Sequence, residues 1–542
     1  MGRAGRTPAG GTIVSRFPGL ETGLPKIGRP FRSAAGYAVA SVFLFACCLL
    51  CVLATGCRRE TAASPRGDGN RAAGGVIRVD LNVYNPGTIP SGIGEPNKVS
   101  AELAEEWQAK RKGPKIRYQP LINTGSSEGE WLKTQLIGGV APEIIHMNAE
   151  IAWPDVGKGW YVALDPYIER PNPYVEGNKR WFDIFSNQDM LSGKRAPDGK
   201  LYCIPLDIVE TGVFYNKDLF AKAGITEFPQ TWDEMEKALG RFKEMNIIPM
   251  TSGGNLGSDW GQDIIFEMLY HNIMPDLDLI PSRPDAESYL GHYLEPREAG
   301  FLFTKGFFST RDPRWREMNR ILLEWRGYWA KELKNSDPLR LFVTQRLATL
   351  WDGSWSIRRM VTDPYIDFQW GIAYIPTITQ ATSPYASGSP ASIIGGGAVQ
   401  LHVSNSAIIN GNLEDCIDYL MFLTAPRNIE RLASEALVFI PNIKGAKMDP
   451  RLKPFNEIFQ RQRCAVKWLD SFDGEYKKYW RRMLDYYLNG GVELDEFLVM
   501  LEGNFAKWVE AHRGEPGWDF APLEEAWKPR EAVLVRELKQ SG

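Results

Sequence analysis

The chain has 542 residues, with 63 Lys and Arg against 66 Asp and Glu, and a formal net charge of −3 at pH 7. That balance excludes a global electrostatic pull toward nucleic acid or an anionic membrane, and the length allows two or three domains, each with its own core. Eighteen Trp within an aromatic share of 12% is a heavy load. Most of those rings belong in cores; the remainder would suit a cleft that meets the C–H faces of pyranose sugars.

The first element is a positive stretch, Arg3, Arg6, Arg16, Lys26, Arg29 and Arg32, followed by an apolar run from Ala34 to Ala54. No acidic residue stands between Glu21 and Glu60. This is the n-region and h-region of a secretory signal. The run ends in Leu53-Ala54-Thr55-Gly56-Cys57, which resembles the lipobox of bacterial lipoproteins, although Ala54 stands three places before the cysteine where Leu is usual. Residues 1–56 are therefore read as a lipoprotein signal peptide, Cys57 as the lipid attachment site, and 57–75, rich in Gly, Ala, Arg and Pro, as a flexible tether. The alternative is an uncleaved anchor, since the run could nearly span a bilayer. Either way the rest of the chain is expected to be exported and held at the membrane. Cys47, Cys48 and Cys51 lie in the apolar run, which leaves Cys203, Cys416 and Cys464 in the body. They are too few and too scattered for a disulfide framework or a four-ligand zinc site, and buried thiols are expected.

From Val76 strands and helices alternate. A strand is expected over Val76–Tyr84, a helix over Lys98–Lys112, a strand over Lys115–Ile122, a helix over Ser127–Ile137 and a short strand over Pro142–Met147. Such alternation argues for open, mostly parallel sheets covered by helices. The best-punctuated stretch is Leu201–Lys243. Ile208, Val209, Val213 and Phe214 supply a strand, Asn216 caps a helix through Ala223, and Gly224 suits the left-handed position after it. Thr231 with Glu234 is a capping box that opens the next helix.

The wording of that stretch carries more. Tyr202-x-x-Pro205, Tyr215-Asn216-Lys217-Asp218-Leu219-Phe220, Lys222-Ala223-Gly224 and Thr231-Trp232-Asp233-Glu234 follow in an order and spacing that resemble the extracellular solute-binding proteins of family 1, the capture subunits of ABC importers for sugars and oligosaccharides. Pro142–Ile145, Trp160–Ile168, Phe368–Thr377, Gly395–Val399, Ile417–Ala425 and Phe439–Pro441 extend the resemblance over roughly 76–445. The segment Asn272–Arg314 matches nothing in it, and the helical, aromatic tail from Lys467 is expected to pack on the second lobe.

The resemblance implies an α/β, two-lobe periplasmic-binding-protein-like fold of type II, its lobes joined by a three-crossing hinge near residues 208, 380 and 438. Residues 76–208 and 394–437 would form lobe 1, and 209–393 and 438–542 lobe 2. The ligand would sit between them, at the carboxyl ends of the strands, and closure would trap it. It also implies a carbohydrate ligand, the permease subunits of an ABC importer with a separate ATPase, and a monomer.

A sugar cleft needs stacking rings and acceptors for hydroxyls, for which carboxylates serve well. Candidates at strand ends are Asn85, Glu128, Trp131, Glu150, Asp207, Glu210, Trp260 and Asp352. Trp355 stands in LWDGSW, similar to the family's Gly-x-Trp loop, where the ring stacks on sugar; Gly396, within the run Gly395–Gly397, would let backbone approach the ligand. The number of acids favours a neutral oligosaccharide or polyol over a uronate, and a cation between rings and carboxylates would also fit. Five His with no metal-ligand spacing, no G-x-S-x-G and no G-x-x-x-x-G-K-[ST] point away from an enzyme, a metal or a nucleotide cofactor. Two readings compete: an exported glycosidase using a pair among Asp207, Glu210, Glu150 and Asp352, and a tethered glycan receptor uncoupled from transport.

Overall fold

The computed structural model describes residues 75–539 except 112, 121–127, 253–258, 282–293, 330–336, 394–395, 462, 466–471 and 473. The signal, Cys57 and the tether up to residue 74 lie outside the described residues. The strands are β1 (Val76–Val79), β2 (Lys115–Tyr118), β3 (Ile144–His146), β4 (Cys203–Pro205), β5 (Asp207–Ile208), β6 (Thr211–Asn216), β7 (Ile248–Ser252), β8 (Leu347–Gly353), β9 (Trp370–Ala373), β10 (Ala391–Ser392), β11 (Gln400–Val403), β12 (Ile440–Pro441) and β13 (Arg463–Cys464).

Two principal sheets result. The first has the order β2-β1-β3-β11-β4, with β1 parallel to β2 and β3, and β11 antiparallel to both its neighbours. The second has the order β7-β8-β6-β9, with β7 and β8 parallel and β6 antiparallel to β8 and β9. Strand β8 is buried at every position, as expected of a strand covered on both faces. Edge strand β2 turns Lys115 and Arg117 to solvent, which discourages pairing with another chain.

Each sheet has its own apolar core. Ile77, Leu103, Trp107, Leu401 and Phe422 belong to that of the first lobe, and Trp232, Phe242, Trp315, Trp325 and Trp480 to that of the second. The caps expected around residue 220 are present. The Asn216 side chain accepts the Leu219 N–H at 2.9 Å, Gly224 has φ +71°, and Thr231 and Glu234 form the reciprocal box.

The first strand is shorter than expected. Asp80 Oδ1 accepts the Asn82 N–H at 2.8 Å, Asn82 takes φ +52°, and a 3-10 turn follows over Asn82–Tyr84. The strand expected through Ile208–Phe214 is broken in two, because β5 leaves the sheets to pair with β12, Ile208 opposite Ile440 and Asp207 opposite Pro441. The second passage between the lobes lies between β10 and β11, later than 380. The loop before it stays on the second lobe, where the Thr377 N–H donates to the Gln230 carbonyl at 2.9 Å and the Ser387 N–H to the Met268 carbonyl at 3.1 Å.

The unmatched segment and the tail pack on each other. Helix Pro296–Lys305 lies on helix Leu494–His512, with Phe303 and Phe505 centroids 4.8 Å apart and Phe301 edge-on to Trp527 at 6.1 Å. Gly300 has only a hydrogen where a Cβ would lie 3.0 Å from the Trp518 ring. Among the described residues no helix is long and apolar enough to cross a membrane.

Candidate functional site

Strand β8 ends in the loop that organises the site. Asp352 Oδ1 accepts the Gly353 N–H at 2.9 Å and Oδ2 accepts the Ser356 hydroxyl at 2.7 Å. These bonds fold the chain into a 3-10 turn over Ser354–Ser356. The Ser354 N–H donates to the Glu210 carbonyl at 2.8 Å, which fixes the turn to the first passage. A Cβ on Gly353 would fall 2.1 Å from the Trp355 ring. The ring therefore lies on bare backbone. Trp355 is half-buried, packs against the main cores of both lobes, and meets Trp260 edge-on at 6.3 Å and 65°. Of the sequence candidates, Trp355, Trp260 and Asp352 are thus brought together.

Asp207 and Glu210 lie at the passages and are fully buried. Asp207 accepts the Tyr84 hydroxyl at 2.8 Å and the N–H groups of Ala398 and Val399 at 2.9 and 3.1 Å. Glu210 accepts its neighbour Thr211's N–H at 2.6 Å and the Ser392 hydroxyl at 3.3 Å. Burial pushes the Asp207 carboxyl up to about 7 and the Asp352 carboxyl to about 6, and raises Glu210 well above the usual range. Each is opposed by the hydrogen bonds just named. Gly396 and Gly397 take φ of +63° and +108°. A Cβ on Gly397 would fall 2.7 Å from that of Pro205, so this loop passes hard against β4.

On the first lobe, Glu150 opens the short helix Ala149–Ala152 and pairs with the buried ammonium of Lys194. Gln400 Oε1 accepts the Ala149 N–H at 2.9 Å, and its amide donates to the Gly397 carbonyl at 2.7 Å. Asn85 is buried, donating to Asp80 at 2.6 Å and accepting from the Leu81 N–H at 2.9 Å. Trp131 is exposed on helix Glu128–Ile137. Glu128 begins that helix, and its side chain lies outside the described residues. His146 and His402 are held neutral by burial, which lowers both to about 4. Among the described residues no group of three or more His, Cys, Asp or Glu could hold a metal ion.

Sequence reasoning missed Tyr84, Lys194, Ser392 and Arg358. The Arg358 guanidinium, on helix Ile357–Thr362 of the second lobe, donates to the carbonyls of Glu95, Glu435 and Ala436 at 2.7, 3.1 and 3.4 Å. Tyr84, next to the candidate Asn85, could have been suspected; a lone Lys or Arg carries no such signal.

A two-lobed body with one ring pressed between two cores has a counterpart. The profile of the bacterial extracellular solute-binding proteins matches residues 94–399, more than half of the chain. The chain belongs to that family. A putative binding protein of Brucella abortus is 35% identical over 144 residues, 26% of this chain and 31% of its own. The multiple sugar-binding protein of Streptococcus mutans is 24% identical over 148 residues, 27% of this chain and 31% of its own. The matched segment thus spans about a third of the length of these curated relatives. Among solved structures, the sugar-binding protein MalE of Xanthomonas citri superposes with a TM-score of 0.57 at 18% identity, covering 81% of this chain and 98% of that one. A chitin oligosaccharide binding protein gives 0.55 at 16%, covering 76% and 95%. The two-lobe α/β fold is that of these solute-binding proteins, and the family is extracellular.

Proposed function

We propose that this solute-binding protein captures a neutral carbohydrate between its lobes and delivers it to the permease of an ABC importer whose ATPase is another chain. The observation that carries the reading is Trp355, half-buried, pressed against both cores and edge-on to Trp260. Flat rings at a lobe seam offer a sugar its stacking surface. Asp352 acts through the turn that aims Trp355. Asp207 and Glu210 hold the passages in register, and Gly396 lets backbone come close. Glu150 and Trp131 are the first-lobe groups that would meet the ligand, and Glu128 is assigned with them from the sequence alone, while Asn85 shapes the loop after β1. The sugar-binding names of the relative in Streptococcus mutans and of the solved structures point to the same ligand class. Cys57 carries the lipid that keeps the body at the membrane.

The test is a thermal-shift screen of the purified protein against mono- and oligosaccharides, with the sugars analysed afterwards. A ligand confined to the native state raises the melting temperature by mass action. A shift with the sugar recovered intact, lost in Trp355→Ala, supports capture. Cleaved sugar would replace it with a glycosidase, and no shift with any sugar would reject the ligand class.

A further inference from the structure

We propose that the end of the first lobe opposite the cleft is a lipid-contacting face, formed by Ile137, Val140, Ile408 and Ile409 with Trp160 beside it. The carboxyl ends of β1 and β3 lead toward Tyr84 and Asn148, on the side where Asp207 and Gln400 make their bonds. Their amino ends, and the far end of antiparallel β11, lie at the other extreme. There the turn 138–141 enters β3 and the segment 404–412 leaves β11. Ile137, Val140, Ile408 and Ile409 are 70, 52, 58 and 64% exposed. Single exposed apolar residues are ordinary, but a contiguous set on a rigid surface marks an interaction site.

The set is contiguous. Ile409 Cδ1 lies 2.5 Å from where a Cβ of Gly139 would stand, so the isoleucine rests directly on the bare turn between Ile137 and Val140. It is also rigid. The Asn405 N–H donates to the Trp160 carbonyl at 2.8 Å, its amide to the Leu136 carbonyl at 3.2 Å, and the Asn410 amide to Glu143 at 2.7 Å. Lys158 stands 4.7 Å over the half-buried Trp160 ring, and Lys133 and Lys158 share Asp155. Arg78 pairs with Glu143 and Arg170 with Glu414, and Lys115 is exposed nearby. Branched apolar side chains flanked by Trp and Lys match the acyl–headgroup boundary of a bilayer.

The place where the chain leaves the body selects lipid as the occupant. The Gly75 carbonyl accepts the Lys115 N–H at 2.9 Å and the Val76 carbonyl accepts the Asn412 amide at 3.4 Å, so the described chain starts at this end. Whatever their conformation, the 19 residues 57–75 reach no more than about 65 Å. On the reading that Cys57 is acylated, the tether joins the body at this end, on the far side of the first lobe from the cleft. A permease would have to meet the cleft side instead. Membrane contact here would hold the empty protein with its mouth toward the solute.

The experiment uses the full chain in cells, with a photo-crosslinking amino acid in place of Ile409 or, as a reference on the second lobe, of Tyr365, which is 76% exposed. Lipid adducts several-fold more abundant from position 409 are expected. The combined Ile137→Ser, Val140→Ser and Ile408→Ser variant should bring that yield down to the reference with an unchanged melting temperature. Equal yields at the two positions, or protein adducts in place of lipid at 409, overturn the proposal. Membrane fractionation of Cys57→Ser reads the anchor separately, so failure of the anchor is distinguishable from failure of the face.

Discussion

Asp207→Ala removes one acceptor that serves three donors at the meeting point of the passages. The Tyr84 hydroxyl and the N–H groups of Ala398 and Val399 all end on this fully buried carboxylate. With about 1–3 kcal/mol for each buried donor left unsatisfied, and partial relaxation, the loss should be about 3–5 kcal/mol. Asp207→Asn keeps a carbonyl oxygen for the two N–H groups and can donate to Tyr84, so its cost should be about 1 kcal/mol. The two variants also separate by pH. Burial raises the native carboxyl to about 7, above its value in the unfolded chain. The native state therefore keeps a proton that the unfolded chain releases, and this group's contribution to stability is full at low pH and is lost as pH rises toward 7. Asn has no such proton, so Asp207→Asn should cost less at pH 8 than at pH 5. Urea unfolding midpoints at both pH values, with unchanged slopes, measure this. An Ala variant as stable as the Asn variant, or an Asn penalty independent of pH, would refute the reasoning.

Arg358→Ala should loosen the seam between the lobes by about 1.5–3 kcal/mol, since its donors are charged and its acceptors are carbonyls of the other lobe. Small-angle scattering of the ligand-free protein should then give a larger radius of gyration; an identical radius rejects the latch. Gly353→Ala sets a Cβ 2.1 Å from the Trp355 ring. The ring must swing away, and titration calorimetry should show sugar affinity at least about tenfold weaker, or 1.4 kcal/mol; full affinity would mean that the ring's seat does not matter. Cys203 is fully buried, with its thiol pushed up to about 12, and Cys416 is raised likewise. Neither should react with a disulfide reagent until urea unfolds the chain, as spectrophotometric thiol counting and peptide mapping would report.

Local punctuation was the most legible part of the fold. The Asn216 cap, Gly224 and the Thr231–Glu234 box depend on residues within one turn of each other, so three or four letters determine them. The family resemblance rested on that same stretch, and the profile match supports it. The bond that bends the chain after Val79 depends on how Asp80 is used, and the alternation of Val76–Tyr84 does not encode it. Glu210 and Asp207 show the same limit. A carboxylate that accepts from backbone and neighbouring side chains is spelled like one that faces a ligand hydroxyl, and only burial and partners separate them. Trp355 was legible because LWDGSW resembles the family's Gly-x-Trp loop, whereas the folding of its ring back onto Gly353 shows only in the structure. Arg358 was hidden, because its acceptors lie about 80 and 260 positions away in the chain.

The long-range construction of both lobes bears on how the chain emerges from synthesis. The first sheet is incomplete until Gln400–Val403 arrives to lie between Ile144–His146 and Cys203–Pro205. The second core waits longer still, for Trp480, Phe505 and Trp527 to cover rings contributed by Phe301, Phe303 and Trp315. Contacts of such separation form late and slowly. A growing chain thus has no finished hydrophobic unit until about Ile443 is made, and the second core is complete only with Trp527 and Leu534. For a protein of an extracellular family, that delay keeps the polypeptide threadable through a narrow translocation pore, and it makes the final helices the step that commits the molecule to its shape.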